Sequence, residues 1–402
     1  MRKVAITGMG AISAAGIGVD ALWLAARDGV SAVGPLDITR GQSLRVRVAA
    51  SVKDFDPASH APADVMRRCD RFTQFAHVAA AEAIAQSGLG ADEIAGPRTA
   101  AIIGTGIGGM NTLDDGCFDF YSGVKRVDPL SVPKLIPSAA TSHISITHRI
   151  TGPCFSVTSA CSSASQSIGI AAMLIRSGAI DRAVVGGSEA CITAATLRAW
   201  EMMRVLSPDV CRPFSAGRTG IVIGEGAGVF VLEAEDLALA RGARVLARLA
   251  GYGTTSDARD IIQPDVDGAA NAMSAALADA GLAPAAIGYV NAHGTGTVLN
   301  DINEAAALRQ VFGEGVGELP VSSSKPVIGH TLGAAGALEL AITVRALEAQ
   351  VVPAHINFKA PDAKCPLNLP TAGPQAHRFE AALSNSFAFG GINAALIVSR
   401  PE

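Results

Sequence analysis

The stretch CFSVTSACSSASQSIGIAAMLIRS, residues 154–177, is the part of this 402-residue chain that the rest is organised around. Phe155, Val157 and Thr158 read as a short buried strand. Ile168, Ala171, Ala172 and Ile175 recur on one face of a helix that Gly178 ends. Cys161 falls at the turn between strand and helix. A thiol in that place faces the start of a helix, where unpaired N–H groups and the positive end of the dipole favour a thiolate. The competing reading is a small apolar core residue, which most free cysteines are. Local sequence leaves the two readings even, and the decision passes to the remainder of the chain.

The length suggests two domains, each with its own core. Hydrophobic residues make up 49% and charged residues 17%, with 43 glycines, which is the profile of an α/β enzyme with buried parallel strands and many tight turns. A net charge of −4 supplies no bulk basic field for nucleic acid or an anionic membrane. The seven cysteines are scattered, with no C-x-x-C pair, so neither a disulfide framework nor a zinc site is indicated. The N-terminus runs straight into a strand, leaving no room for a signal peptide, and no apolar run reaches bilayer length. A cytoplasmic location without a membrane span is expected.

Lys3–Gly8 reads as a first strand, followed by a glycine-rich turn at Gly8, Gly10, Gly16 and Gly18. Phe75–Ser87 reads as an alanine-rich helix and Thr99–Ile103 as a second strand. The continuation, Gly104-Thr-Gly106-Ile-Gly-Gly109, formally matches G-x-G-x-x-G and raises a nicotinamide oxidoreductase. Residues 110–117 make a poor close-packed helix start, however, and no acidic residue ends a second strand at the required distance. A tight loop lining a pocket fits better. Strand Arg182–Gly187 ends in a double glycine, and a charged helix with an Arg/Gly connection over 235–244 marks a boundary. Beyond it the order repeats in outline: strand Val321–Ser324, a turn with Lys325 and His330, a helix through Leu347, strand Ala381–Ser384, then Gly390-Gly391. Two related halves, 1–244 and 245–402, with a site at their junction, are expected.

His293, in Asn291-Ala-His293-Gly-Thr295-Gly-Thr297, and His330, in Lys325-Pro-Val-Ile-Gly-His330, are the two histidines in glycine-flanked turns directly after strands. The other six, at 60, 77, 143, 148, 355 and 377, read as solvated or structural. A histidine in such a turn could serve only to satisfy backbone groups, but two of them beside a cysteine point to chemistry. A thiolate can take up an acyl group, and neutral imidazole N–H donors suit a developing oxygen anion.

Four motifs, Ser159-Ala-Cys161-Ser-Ser, His293-Gly-Thr-Gly-Thr297, Lys325 with Gly329-His330, and Asn385-Ser-Phe-Ala-Phe389-Gly-Gly391, resemble in order and spacing those of the elongating β-ketoacyl-acyl-carrier-protein synthases. The resemblance covers nearly the whole chain. Within the family the nodulation-type acyl synthases are the nearer likeness, through Val157-Thr-Ser-Ala-Cys161, Ala199-Trp-Glu-Met-Met-Arg204 and Cys211-Arg-Pro-Phe-Ser215, with the housekeeping long-chain synthases behind them. What this implies is an α/β thiolase-like fold of two related halves in a layered αβαβα arrangement, forming a homodimer or heterodimer. The implied reaction joins an enzyme-bound acyl thioester to malonyl on acyl carrier protein, in fatty acid or specialised acyl or polyketide elongation, without cofactor or metal.

The same resemblance implies the roles. Cys161 is the nucleophile, His293 and His330 stabilise the decarboxylating thioester, and the N–H groups of Cys161 and Phe389 form an oxyanion hole. Lys325 orients the site together with Glu304, a lysine beside a carboxylate being a poor general base. Phe387 and Phe389 gate an acyl pocket walled by Ile107, Met110, Trp200, Thr295 and Thr297, with Leu135 and Ile136 either reaching it as further walls from a partner subunit or serving as ordinary core packing. Arg67, Arg68, Lys125, Arg126 and Arg204 would dock the acidic carrier protein. Ala388 and Ile392 depart from the family's usual glycine and threonine, Trp200 from the housekeeping phenylalanine, and the loop at Ser215, Gly217 and Thr219 lacks the usual acidic residues. These departures bear on chain length rather than reaction. Other classes to weigh are a non-catalytic chain-length-controlling partner subunit, which would lack the cysteine, and a Cys-His hydrolase, which would not need two glycine-framed histidines.

Overall fold

The computed structural model describes residues 2–124 and 127–401. Ten strands line up in one sheet: β1 (Val4–Ser13), β2 (Thr99–Gly104), β3 (Cys154–Phe155), β4 (Arg182–Glu189), β5 (Gly226–Ala234), β6 (Ala247–Ser256), β7 (Ile287–Asn291), β8 (Val321–Ser322), β9 (Ala381–Ala388) and β10 (Ile392–Ser399). Their spatial order is β8-β7-β9-β10-β6-β1-β5-β4-β2-β3, with Gly16–Ile17 paired to β1 off this path. From the β1–β6 contact outward, the first group reads β1, β5, β4, β2, β3 and the second β6, β10, β9, β7, β8. Adding five to each label of the first group gives the second. The pairings repeat as well: β2–β3, β2–β4, β7–β8 and β7–β9 are parallel, whereas β4–β5, β5–β1, β9–β10 and β10–β6 are antiparallel.

Helices complete five layers. On the outer side of the first group lie α1 (Arg71–Ser87) and α3 (Ala139–His148), while α2 (Met110–Tyr121) runs along the surface. Between the two groups lie α4 (Ser163–Arg176) and, later in the chain, α8 (Ala335–Ala349), each touching strands of both groups. After α5 (Ala194–Met202), α6 (Val266–Ala280) and α7 (Val298–Phe312) cover the outer side of the second group. A helix enclosed on all sides must be apolar all round, and twelve of the fifteen residues of α8 are buried. Fully buried Ile168 and Ile175 on α4 each contribute about 1.5–3 kcal/mol. This is the thiolase-like αβαβα arrangement expected from the motifs.

Several local expectations change. The presumed buried strand over Phe155–Thr158 is the two-residue edge strand β3, with both residues exposed. Gly8 and Gly10 form no turn but lie inside β1, because α1 packs directly on them: a Cβ at either would stand about 2 Å from the carbonyl oxygen of Ala83 or Ala79. Gly186 and Gly187 likewise lie within β4 rather than at its end. After Gly109 a helix does form, α2, although none of its side chains is buried. The loop before it packs against its own chain, with Gly109 N donating to Leu135 O at 2.9 Å, and so makes no dinucleotide cradle.

Candidate active site

Helices α4 and α8 are each entered through a three-residue 3-10 turn, Ala160–Ser162 and Leu332–Ala334. Each turn opens on a non-glycine residue in the left-handed region, Ala160 at φ 48° and Leu332 at φ 46°, a strained conformation held only where the surroundings impose it. Cys161 is the middle residue of the first turn and Gly333 of the second. Ser162 and Ser165 tie the first turn to the second strand group. Ser162 Oγ donates to Ser386 O (2.9 Å) and Ile392 O (2.7 Å), and Ser165 Oγ meets Ser386 Oγ at 2.8 Å. Glu189, at the end of β4, spans the same junction: its Oε2 accepts from Gly106 N (2.6 Å) and Gly333 N (3.0 Å), and its Oε1 from Thr105 Oγ1 (3.2 Å).

Cys161 Sγ lies 3.1 Å from His330 Nε2, and the rings of His330 and His293 meet edge to face with centroids 5.4 Å apart. The second nitrogen of each ring assigns its tautomer. Leu332 N–H donates to His330 Nδ1 (3.3 Å), and the Lys325 ammonium donates to His293 Nδ1 (3.3 Å). A neutral imidazole that accepts at Nδ1 carries its proton at Nε2. Both histidines therefore offer Nε2–H donors. Burial, then the charge of Lys325, holds both well below the ordinary histidine range, which keeps them neutral.

Lys325 pairs with Glu339 on α8, at 2.5 Å, and also donates to His293 O. Glu304 makes no direct ion pair with Lys325, although the charge of the lysine favours its carboxylate. Glu304 instead accepts from His293 N (2.8 Å), Gly294 N (2.7 Å) and Asn385 Nδ2 (3.2 Å). One turn earlier on α7, Asp301 accepts from Gly296 N at 3.2 Å. The two carboxylates hold the His293–Thr297 loop from below, because a glycine-rich loop leaves N–H groups that something must accept. Asp301 and Glu339 escaped the sequence reading; the Asp-x-x-Glu spacing directly after the histidine loop was a usable signal for the first.

At Cys161 two effects oppose each other. The helix start favours a thiolate, yet burial pushes the Cys161 thiol up to about 12, opposed by Lys325 and reinforced by Glu189 and Glu339. A cavity of about 270 Å³ opens onto Cys161, lined by His293, His330, Thr295, Thr297, Trp200 and Phe387 among others. Phe389 stacks on Trp200 with centroids 5.8 Å apart, so both gate aromatics line the space over Cys161.

The chain matches the model of the beta-ketoacyl synthase N-terminal domain over residues 1–238 and that of the C-terminal domain over 246–359. It belongs to the β-ketoacyl synthase family. It is 42% identical to Nodulation protein E of Rhizobium leguminosarum bv. trifolii over 396 residues, 98% of each chain. It is 39% identical to 3-oxoacyl-[acyl-carrier-protein] synthase 2 of Staphylococcus aureus (strain COL) over 409 residues, 100% of this chain and 99% of that one. The solved ishigamide ketosynthase/chain length factor superposes over the full length of both chains with a TM-score of 0.95 at 33% identity. The protein is thus an acyl-transferring condensing enzyme.

Not all the expected residues gather at this synthase's cavity. Met110 packs in the apolar cluster that holds Cys161, Trp200 and Ala388, but it does not line the cavity. Ile107 is 39% exposed and also lies off it, and Leu135 and Ile136 do not line the cavity of their own chain. Thr297, besides lining the cavity, caps α7 by accepting from Asn300 N (3.3 Å). Arg204 lies at the cavity, whereas Arg67 and Arg68 are exposed at the end of a short helix before α1. Lys125 and Arg126 lie outside the described residues. His77 and His355, expected to be solvated or structural, are buried.

Proposed function

We propose that this synthase condenses an acyl group carried on Cys161 with malonyl on an acyl carrier protein, releasing carbon dioxide. The paired Nε2–H donors of His293 and His330 beside the Cys161 sulfur carry this reading. In the first step Cys161 Sγ attacks the acyl thioester, the bond to the pantetheine sulfur breaks, and the thiol proton passes to that leaving sulfur. In the second, the malonyl carboxylate leaves as carbon dioxide and its electron pair forms an enolate, whose oxygen takes hydrogen bonds from the two imidazoles. Neutral imidazoles donate without protonating it. In the third, the enolate carbon attacks the acyl carbonyl, the N–H groups of Cys161 and Phe389 receive the oxyanion, and the Cys161 sulfur leaves and recovers a proton. Phe387 and Phe389 gate the acyl chain, and Trp200, Thr295 and Thr297 line its path. Cys161 stands in place, which argues against a non-catalytic chain-length-controlling subunit.

The acidic carrier protein would dock on Arg67, Arg68 and Arg204, joined by Lys125 and Arg126. The chain divides into halves 1–244 and 245–402, with the repeated strand order as support. It forms a dimer through the edge strand β3 and α2, where Phe120 is 63% and Tyr121 84% exposed, an apolar face and open sheet edge that call for a partner. The complete cysteine and histidine set in one chain supports a homodimer. Among the described residues no helix is long and apolar enough to cross a membrane, and the proposed location is the cytoplasm. The test is incubation of the purified protein with acyl and malonyl carrier protein. An acyl adduct on Cys161 by mass and release of carbon dioxide are expected, and the absence of both overturns the assignment.

A further inference from the structure

A second cysteine–histidine cluster lies away from the cavity. Cys69 precedes α1, His77 stands in its second turn, and His143 is on α3. Each brings one ligand-type atom to within 4.8 Å of the other two. Cys69 Sγ is 3.6 Å from His143 Nδ1, and the rings of His77 and His143 meet edge to face with centroids 5.8 Å apart. Cys69 and His77 are each only 6% exposed, and His143 is half-buried. His77 Nε2 has no hydrogen-bond partner, and among the described residues no other buried imidazole nitrogen is left so.

A buried polar atom without a partner costs about 1–3 kcal/mol, which asks for a reason. Cys69 Sγ donates to Val65 O at 3.4 Å and meets His143 Nδ1 at 3.6 Å, and neither contact engages His77. A metal ion accounts for all three. Thiolate and imidazole ligands suit a borderline divalent ion, and hard cations prefer oxygen. Zinc–sulfur bonds of about 2.3 Å and zinc–nitrogen bonds of about 2.0–2.1 Å at a tetrahedral angle place sulfur and nitrogen about 3.6 Å apart. The observed separation of Sγ and Nδ1 is that distance. His143 is half-buried, so the cluster has one side toward solvent. Arg68 and Lys134 place positive charge near His143 and Cys69, offset in part by the neighbouring carboxylate of Asp70.

We propose that Cys69, His77 and His143 form a binding site for a divalent transition metal of the zinc type, pinning α1 to α3. Because Cys161, His293 and His330 also bring donor atoms within 4.8 Å of one another, the test uses the full chain carrying Cys161→Ala. Cobalt(II) is titrated and the thiolate-to-cobalt charge-transfer absorption read, followed by displacement with zinc. One absorbing equivalent per chain, displaced by zinc, is expected. Adding Cys69→Ala should abolish the absorption. Adding His77→Gln or the less buried His143→Gln should weaken cobalt binding by more than about 100-fold, beyond the usual effect of losing an outer-shell partner. No absorption in the Cys161→Ala protein, absorption that survives Cys69→Ala, or unchanged affinity in a folded His143→Gln protein would each overturn the site.

Discussion

Cys161 with His293 and His330, and Cys69 with His77 and His143, are two assemblies of the same three side chains in one molecule, each drawn within 4.8 Å. Burial pushes both thiols up to about 12, so a lowered thiol pKa separates neither from the other. The difference lies in what occupies the far side of each ring. In the first cluster a backbone N–H and an ammonium take the Nδ1 atoms and turn both Nε2–H groups into donors, and a cavity opens onto them. In the second, no residue of the cluster lines that cavity, and one ring nitrogen is left bare. A cysteine beside histidines becomes an acyl carrier only when the outer partners decide what the histidines offer.

That contrast can be broken most severely at Lys325. Lys325→Met would leave the Glu339 carboxylate buried without its partner, at a cost of about 3–5 kcal/mol, read as a lower urea midpoint. The second cluster has no such ion pair, so variants there should not show this loss. Next in size, His330→Ala removes one donor and should lower the condensation rate by about 10²–10³-fold, while His143→Gln keeps it near the parent value. Equal losses from the two would erase the distinction drawn between the clusters. The smallest effect sharpens it. With the Cys161 thiol raised to about 12, its anionic fraction grows by about tenfold for each unit between pH 7 and 10. Alkylation of Cys161 by iodoacetamide, followed by mass spectrometry, should climb throughout that range, and a plateau near pH 7 would show the helix start prevailing over burial. Cys69, which is buried and does not line that cavity, should react more slowly at every pH.

The residues proposed to carry the reaction were legible because each sits in a short motif whose glycines and neighbours set it apart: Cys161, His293, Lys325 and His330. The two related halves followed from the order of strands and helices, and the layered arrangement from the family resemblance. What escaped the sequence depends on contacts across long separations. Glu304 looked like the partner of Lys325 because it follows His293 closely, yet the ion pair is made by Glu339, from a helix whose apolar run conceals it. Gly8 and Gly10 read as a turn because a helix lying on a strand leaves no mark in the strand's own sequence. Cys69, His77 and His143 belong to two helices and their approach, and only burial reveals that they meet.

The repeated strand order invites the thought that each half could carry its own cargo. Cys161 and Gly333 hold matching places in the two helix-entry turns. A side chain at Gly333 would begin 2.2 Å from Gly106 N and 2.6 Å from Glu189 Oε2, inside the junction that joins the halves. No second nucleophile fits there. The stoichiometry of loading is therefore set by packing: one acyl group per chain at saturation, however symmetrical the sheet.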